Sequence, residues 1–281
     1  MNKSSSIQNE LADVLRTIPP HVWYEIVKKG PEWHELEPLR SKFPDSAFSV
    51  FMLTVGLNAY QLKGRAETSY FPILKVCLNG CDSVPRIETL HDTLAPFYKR
   101  ERLNSAKLER LSRFLQSPLA YELWTASPQE IASSIDQIYH SLGRVMGQKL
   151  HEKTICFAMK CLGVSLMMAN ENSFDFQNIP IPVDSRINKF MNNLGLPIDE
   201  NSRSIQRFWG DILSRLRPTL PPINMIHLDS FIWQIAHHDA DELRTYCRDL
   251  GIDSVGRCIH RMLNIPTVCG PTPILLTIRR F

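Results

Sequence analysis

Apolar residues recur at helical spacing in one segment of this chain after another. Over 99–116, leucine and phenylalanine return every three or four residues, which is the spacing of one helix face. The segment 46–62 is apolar over the length of a helix and ends before a Lys-Gly pair. The period-two alternation that is typical of half-buried strands is nearly absent. The sequence therefore predicts an all-α protein.

Size and composition place the chain among ordinary globular proteins. It has 281 residues, of which 43% are hydrophobic and 22% are charged, so it can bury a full core as one large domain or as two lobes. No uninterrupted apolar run approaches the ~18 residues that a membrane span requires. The first ten residues, MNKSSSIQNE, contain no apolar segment of a secretory signal. We expect a protein without membrane association that works inside a prokaryotic cell, in the cytoplasm or nucleoid.

The cysteines predict neither disulfides nor a metal site. There are seven, and none forms a Cys-x-x-Cys pair, so an intracellular chain is expected to keep them as thiols. Cys77 and Cys81 are close enough on a helix to bind a metal together, but no second pair of ligands follows them. We therefore expect no metal and no other cofactor.

The segment 151–186 places a lysine near the start of one helix and an aspartate at the start of the next. Lys153 lies at the edge of an apolar stripe, where the helix dipole and partial burial both favour the neutral, nucleophilic amine. Asp184 follows a Pro-rich connection and is expected to cap its helix while presenting a second oxygen to a cleft. A lysine and a carboxylate at one cleft are the minimal equipment for Schiff-base chemistry at a sugar carbon. Two alternatives stay open when each residue is judged alone: Lys153 is an ordinary exposed lysine, and Asp184 is an ordinary N-cap.

Two aromatic side chains share helix faces with these polar groups. Phe157 lies four residues after Lys153, and Trp233 lies four residues after Asp229, so each pair shares one helix face. A carboxylate beside an indole suits a nucleobase, because the carboxylate accepts ring N–H groups and the indole stacks. An N-terminal aspartate followed by a core tryptophan is the alternative.

A basic segment favours a polyanionic partner. Between positions 99 and 113, basic residues exceed acidic ones by four, and the whole chain has a formal charge of +3. Such a cluster can neutralise phosphates, although a solvated helix face would have the same composition. The predicted phosphate-binding residues are Lys99, Arg100 and Arg102.

Four ordered motifs resemble those of the archaeal GO DNA glycosylases, a branch of the helix-hairpin-helix glycosylase superfamily. The resemblance covers 46–236 and is carried by LNAYQLKGRAE at 57–67, EKT and FAMK within 152–160, IPVDSR at 181–186, and HLDS with Trp233 at 227–233. Two features depart from the family. Ala66 interrupts a Gly-Arg-Gly-Glu pattern, and the segment before Lys153 has one glycine, Gly147, instead of two. The second departure weakens the inference that this hairpin binds phosphate through its amides.

The resemblance implies a two-lobed helical protein that removes 8-oxoguanine from DNA and also cleaves the strand, with its active site between the lobes. By resemblance, Lys153 is the nucleophile and Asp184 assists it. Phe157 and Trp233 sandwich the flipped base, while Gln61 and Asp229 form hydrogen bonds with its edges. No cofactor is implied, and the partner is damaged DNA.

For the organisation of the chain, we expect a first helical lobe from 1–45 and 165–265. A second lobe spans 46–164 and ends in the hairpin element, and 266–281 forms a C-terminal extension. We expect a monomer. Two other functions stay open: a glycosylase for another damaged base, and a non-catalytic helical DNA-binding protein in which Lys153 and Asp184 are merely structural.

Overall fold

A computed structural model describes residues 3–44, 47–196, 202–216 and 223–263. Within these ranges the chain is helical and has no strand, so the prediction of an all-α fold is confirmed. A 3₁₀ turn at Glu37–Lys42 and a π-helical turn at Ala66–Tyr70 interrupt the series. The α-helices in the described ranges are α1 (Lys3–Arg16), α2 (Pro20–Lys28), α3 (Pro31–Leu36), α4 (Ala47–Asn58), α5 (Phe71–Asn79), α6 (Ile87–Tyr98), α7 (Asn104–Leu115), α8 (Pro118–Thr125), α9 (Pro128–Ser133), α10 (Ile135–Met146), α11 (Lys153–Met168), α12 (Ser185–Asn193), α13 (Ser202–Leu216), α14 (Met225–Ile235), α15 (Ala240–Asp249) and α16 (Asp253–Met262).

Helices α4 and α11 form the centre of the molecule. Every residue of α4 is buried, as the apolar composition of its segment requires. The two helices approach so closely that a Cβ atom at Gly56 would lie 2.6 Å from the Cα of Ala158. Farther along the pair, the hydroxyls of Ser49 and Ser165 are hydrogen-bonded at 2.9 Å. This packing holds the start of α11 beside the loop that follows α4.

The other helices pack around α4 and α11 in two groups. In one group, α4 contacts α7 and α8, α6 contacts α7, and α10 contacts α7, α8 and α11. In the other, α1 contacts α13 and α16, α15 contacts α16, and α14 contacts α2 and α12. Helix α11 also contacts α14 and α3, so it joins the groups. The exact lobe boundaries stay a prediction, and the predicted C-terminal extension lies outside the described residues.

Two helices differ from the sequence prediction. The helix expected over 99–116 begins at Asn104, because Leu103 adopts a left-handed backbone with φ 51°. The order Ser127-Pro128-Gln-Glu130 predicts a helix start with a capping box, and a helix from there to about 142. This helix is divided into α9 and α10 at Ser134. The predicted capping box is confirmed: the Ser127 hydroxyl accepts from the backbone N–H of Glu130, whose carboxylate accepts from the backbone N–H of Ser127. None of the described helices is long and apolar enough to cross a membrane.

Candidate active site

Six of the predicted site residues line one cleft, which has a volume of about 210 Å³. They come from separate elements: the loop after α4, the first turns of α11, the start of α12 and the middle of α14. The residues are Gln61, Lys153, Phe157, Asp184, Asp229 and Trp233. The fold thus brings together the side chains that the sequence singled out, while their individual roles stay predictions.

A polar network fixes the first turn of α11, where the side chain of Lys153 is half-buried. The hydroxyl of Thr154 donates to the Gln148 side-chain oxygen at 3.0 Å, and Arg110 donates to the same oxygen at 2.9 Å. Arg110 also donates two hydrogen bonds to the carbonyl of Leu57, at 3.0 and 3.2 Å. The first turn of α11 is therefore tied to the end of α4.

Asp184 caps α12, as the sequence predicts. Its Oδ1 accepts from the backbone N–H groups of Arg186 at 2.9 Å and Ile187 at 3.0 Å. Both bonds end on Oδ1, so this oxygen holds the carboxylate rigidly at the cleft that the residue lines.

The inner end of the cleft contains a buried ion triad. The ammonium of Lys160 lies 2.7 Å from Asp229 Oδ2 and 2.7 Å from Glu32 Oε1, and none of the three side chains is more than 3% exposed. Burial raises the pKa of Asp229 to about 6 although Lys160 opposes this. Burial alone would lower the pKa of Lys160, but the two carboxylates outweigh it and raise the pKa, so this lysine is an ammonium.

Sequence reasoning missed two members of this triad. Lys160 belongs to a motif of the family resemblance but was given no role. Glu32 lies in the short helix α3, where an acidic residue in the first turn ordinarily indicates only a favourable helix start. Its burial beside Lys160 depends on packing between elements that are distant in sequence.

The two aromatic rings differ in their neighbours. The guanidinium of Arg186 lies 3.7 Å from the ring centroid of Trp233, within cation–π range. Arg186 is also paired with Glu67, which belongs to the π-helical turn. Phe157 has the Lys160 ammonium 5.7 Å from its ring centroid. Arg186 and Glu67 also line the cleft, and the motif reading assigned neither of them a role.

Gln61 lies at the exposed edge of the cleft. Its backbone has φ 41°, a left-handed conformation that is uncommon for residues other than glycine. Backbone strain of this kind is concentrated at functional sites. The strained backbone therefore supports the prediction that the Gln61 side chain has a functional role in the cleft.

The basic segment is divided by the fold. Its exposed members lie in the turn between α6 and α7, away from the cleft lining: Lys99, Arg100 and Arg102. Lys107, in contrast, is fully buried and lies 3.0 Å from Glu101. Arg110 and Arg113 donate to main-chain carbonyls. The surface therefore has less free positive charge than the sequence suggests, and phosphate binding by the three exposed residues stays a prediction.

Two backbone N–H groups of the hairpin before α11 form hydrogen bonds within the protein. Gly147 has φ 62° and ends α10. Its N–H bonds the carbonyl of Arg144 at 3.1 Å, and the N–H of Gln148 bonds the carbonyl of Gly143 at 3.0 Å. These two amides are therefore engaged within the protein.

The described residues contain no cluster of three or more His, Cys, Asp or Glu side chains suited to a metal ion.

Comparison with known proteins adds independent information. Residues 12–261 match the family model described as "AGOG: N-glycosylase/DNA lyase". An N-glycosylase/DNA lyase of Methanococcus maripaludis is 28% identical over 142 residues, which are 50% of this chain and 51% of that protein. The chain therefore spans about half the length of this curated relative.

A solved structure shows the same fold. It is the 8-oxoguanosine complex of Pa-AGOG, an 8-oxoguanine DNA glycosylase from Pyrobaculum aerophilum. The TM-score is 0.70 at 15% identity, and the match covers 94% of this chain and 98% of that one.

Proposed function

Because the chain belongs to the AGOG family of N-glycosylase/DNA lyases, we propose that it removes 8-oxoguanine from DNA and then cleaves the strand. The family resemblance stated from the motifs is confirmed. The observation that carries the proposal is the convergence of Lys153, Asp184 and two aromatic rings in a single cleft. A half-buried amine beside a rigid carboxylate suits nucleophilic attack at a sugar carbon.

The chemistry uses only side chains of the cleft. The neutral amine of Lys153 attacks C1′ of a flipped nucleotide, and the C1′–N9 bond breaks as the base departs. The Oδ2 atom of Asp184 stabilises the positive charge that develops on the sugar. The sugar ring then opens: the amine loses a proton, the C1′–O4′ bond breaks and O4′ takes up a proton, which leaves a Schiff base at C1′. The Schiff base acidifies the C2′ proton, so that β-elimination breaks the bond to the 3′ phosphate.

Base recognition uses the rings and the buried ion triad. Phe157 and Trp233 stack on the flipped base. The carboxylate of Asp229 accepts from the N1–H and N2–H donors of a guanine-type edge, and the ammonium of Lys160 donates to O6. The 8-oxo lesion differs from guanine by an N7–H donor and the C8 oxygen, and Gln61 supplies an amide for the base edge.

A DNA substrate also implies contacts outside the cleft and a location in the cell. Lys99, Arg100 and Arg102 bind phosphates of the duplex from the exposed turn between α6 and α7. The chain acts as a monomer, in the cytoplasm or nucleoid of a prokaryotic cell, where the damaged DNA lies.

Borohydride trapping tests the proposal. A duplex with one 8-oxoguanine should give a covalent adduct with the wild-type protein, because reduction fixes the Schiff base. Lys153→Gln should give no adduct but should still bind lesion DNA. Lys189→Gln, which changes an exposed lysine of α12, should trap normally. If Lys153→Gln cut lesion DNA at near-normal rate, the nucleophile would be another residue. A panel of duplexes with one lesion each tests the identity of the base.

A further inference from the structure

Glu32 makes the inner end of the cleft unusual, because it places two carboxylates on one ammonium. It lies on α3, Lys160 lies on α11 and Asp229 lies on α14. Both carboxylates are 2.7 Å from the Lys160 nitrogen, and all three residues line the cleft. If all three ionise, one negative charge is left uncompensated away from water, and such a charge is costly. An ammonium paired with a single carboxylate would leave no excess negative charge.

The groups around Asp229 make this carboxyl sensitive to pH. Burial raises its pKa to about 6, Lys160 opposes the rise, and Asp184 and Glu32 add to it. On α11, burial also raises the pKa values of the Cys156 and Cys161 thiols, so both thiols are neutral at these pH values. Of these groups, Asp229 is therefore the one that takes up a proton near pH 6.

We propose that Glu32 is a positioning residue that, by sharing Lys160, sets the protonation state of the base-reading Asp229 and makes excision of 8-oxoguanine depend on pH. The inference rests on the proposed function. In its carboxylate form Asp229 accepts from the N1–H of a 6-oxopurine such as 8-oxoguanine. In its acid form one of its oxygens carries a proton, so the carboxyl can no longer accept from both the N1–H and the N2–H of the base. Binding of 8-oxoguanine to the acid form releases one proton to solvent.

The role of Glu32 follows from its charge. Replacement by the isosteric Gln leaves Lys160 with Asp229 as its single charged partner, so the ionised form of Asp229 persists to lower pH. A purely structural role for Glu32 would change stability or overall rate but would leave the pH midpoint in place. Glu35 supplies a matched control on the same helix, because it pairs with Lys75 at 3.1 Å and does not line the cleft.

The test is the single-turnover rate of 8-oxoguanine excision between pH 5 and pH 8, divided by the rate of cleavage of an abasic-site duplex. The division removes the pH dependence of the steps that the two substrates share, because both substrates require Lys153 and Asp184. For a carboxyl that titrates near pH 6, the ratio in the wild type should fall about tenfold from pH 7 to pH 5. In Glu32→Gln it should fall less than about threefold, while Glu35→Gln should behave as the wild type does.

An unchanged midpoint in Glu32→Gln, or a flat ratio in the wild type, would overturn the inference. Should Glu32→Gln not fold, the wild type still provides a test: binding of an 8-oxoguanine duplex at pH 5 should release about one proton from Asp229, measured by calorimetry in buffers of different ionisation enthalpy, and binding without proton release would overturn the inference. Failure to excise 8-oxoguanine at any pH would instead contradict the proposed function.

Discussion

Helix α11 carries two lysines into the same cleft, and their surroundings are opposite. Lys153 is half-buried at the first turn and has no ion pair among the residues that the structure describes. Lys160, two turns later, is 2% exposed and contacts two carboxylates. An ion pair stabilises the ammonium and so opposes nucleophilic attack, whereas a group that recognises a base benefits from rigid partners. The comparison shows how one helix can place in one cleft both an amine without an ion pair in the described residues and a cation held by two carboxylates.

The largest effect that tests this comparison is on stability. Lys160→Met should lower the free energy of unfolding by about 3–5 kcal/mol, because two buried carboxylates lose their counter-charge. The loss should be smaller at pH 5 than at pH 8, since burial raises the pKa of Asp229 and this carboxyl can then bind a proton and become neutral. Lys153→Met, on the same helix, should change stability by less than about 0.5 kcal/mol. Urea denaturation at both pH values measures this, and equal losses in the two variants would contradict the comparison.

The next effect concerns Asp184, the carboxylate that lines the same cleft as Lys153. Asp184→Asn should lower the single-turnover excision rate at least ~100-fold, because the charge that stabilises the sugar cation is lost. Asparagine still caps a helix, so stability should change little. Asp239→Asn is the matched control, since Asp239 caps α15 with bonds of 2.9 Å to the N–H groups of Asp241 and Glu242. A near-normal rate for Asp184→Asn would leave Asp184 as a cap alone.

A smaller effect separates base reading from sugar chemistry. Gln61→Gly removes the amide and suits the left-handed backbone at this position. Loss of a hydrogen bond to the base costs about 1–3 kcal/mol, so 8-oxoguanine excision should slow by roughly 5- to 150-fold. Cleavage of a preformed abasic site, which has no base to bind, should keep its rate. Equal losses on the two substrates would remove Gln61 from the base pocket.

The smallest effect lies outside the cleft. Changing Arg100 and Arg102 to Gln should weaken binding to damaged and undamaged duplexes alike. It should also reduce the log–log salt dependence by roughly 0.9 for each phosphate contact removed. Arg244→Gln with Arg248→Gln removes the same charge from α15 and should leave the slope unchanged. A slope that stays constant in Arg100→Gln with Arg102→Gln would identify the turn as a solvated surface.

Much of the fold and part of the site could be predicted from the sequence, because the relevant interactions are local. The caps at Ser127 and Asp184 follow from residues within one helical turn. The pairing of Asp229 with Trp233 on one face follows from helix periodicity. The start of α7 was misplaced, since nothing local to Leu103 indicates its left-handed backbone.

By itself, the sequence determined the all-α class, most helices, their caps and the motifs that gather at the cleft. Tertiary structure alone decided the partners of the charged side chains: Glu32 with Lys160, Arg186 with Trp233, and the burial of Lys107 against Glu101. A charged residue in a sequence predicts exposure, because an isolated buried charge is unfavourable. It becomes a buried site only when packing brings an opposite charge from a distant element, and no local pattern records that encounter.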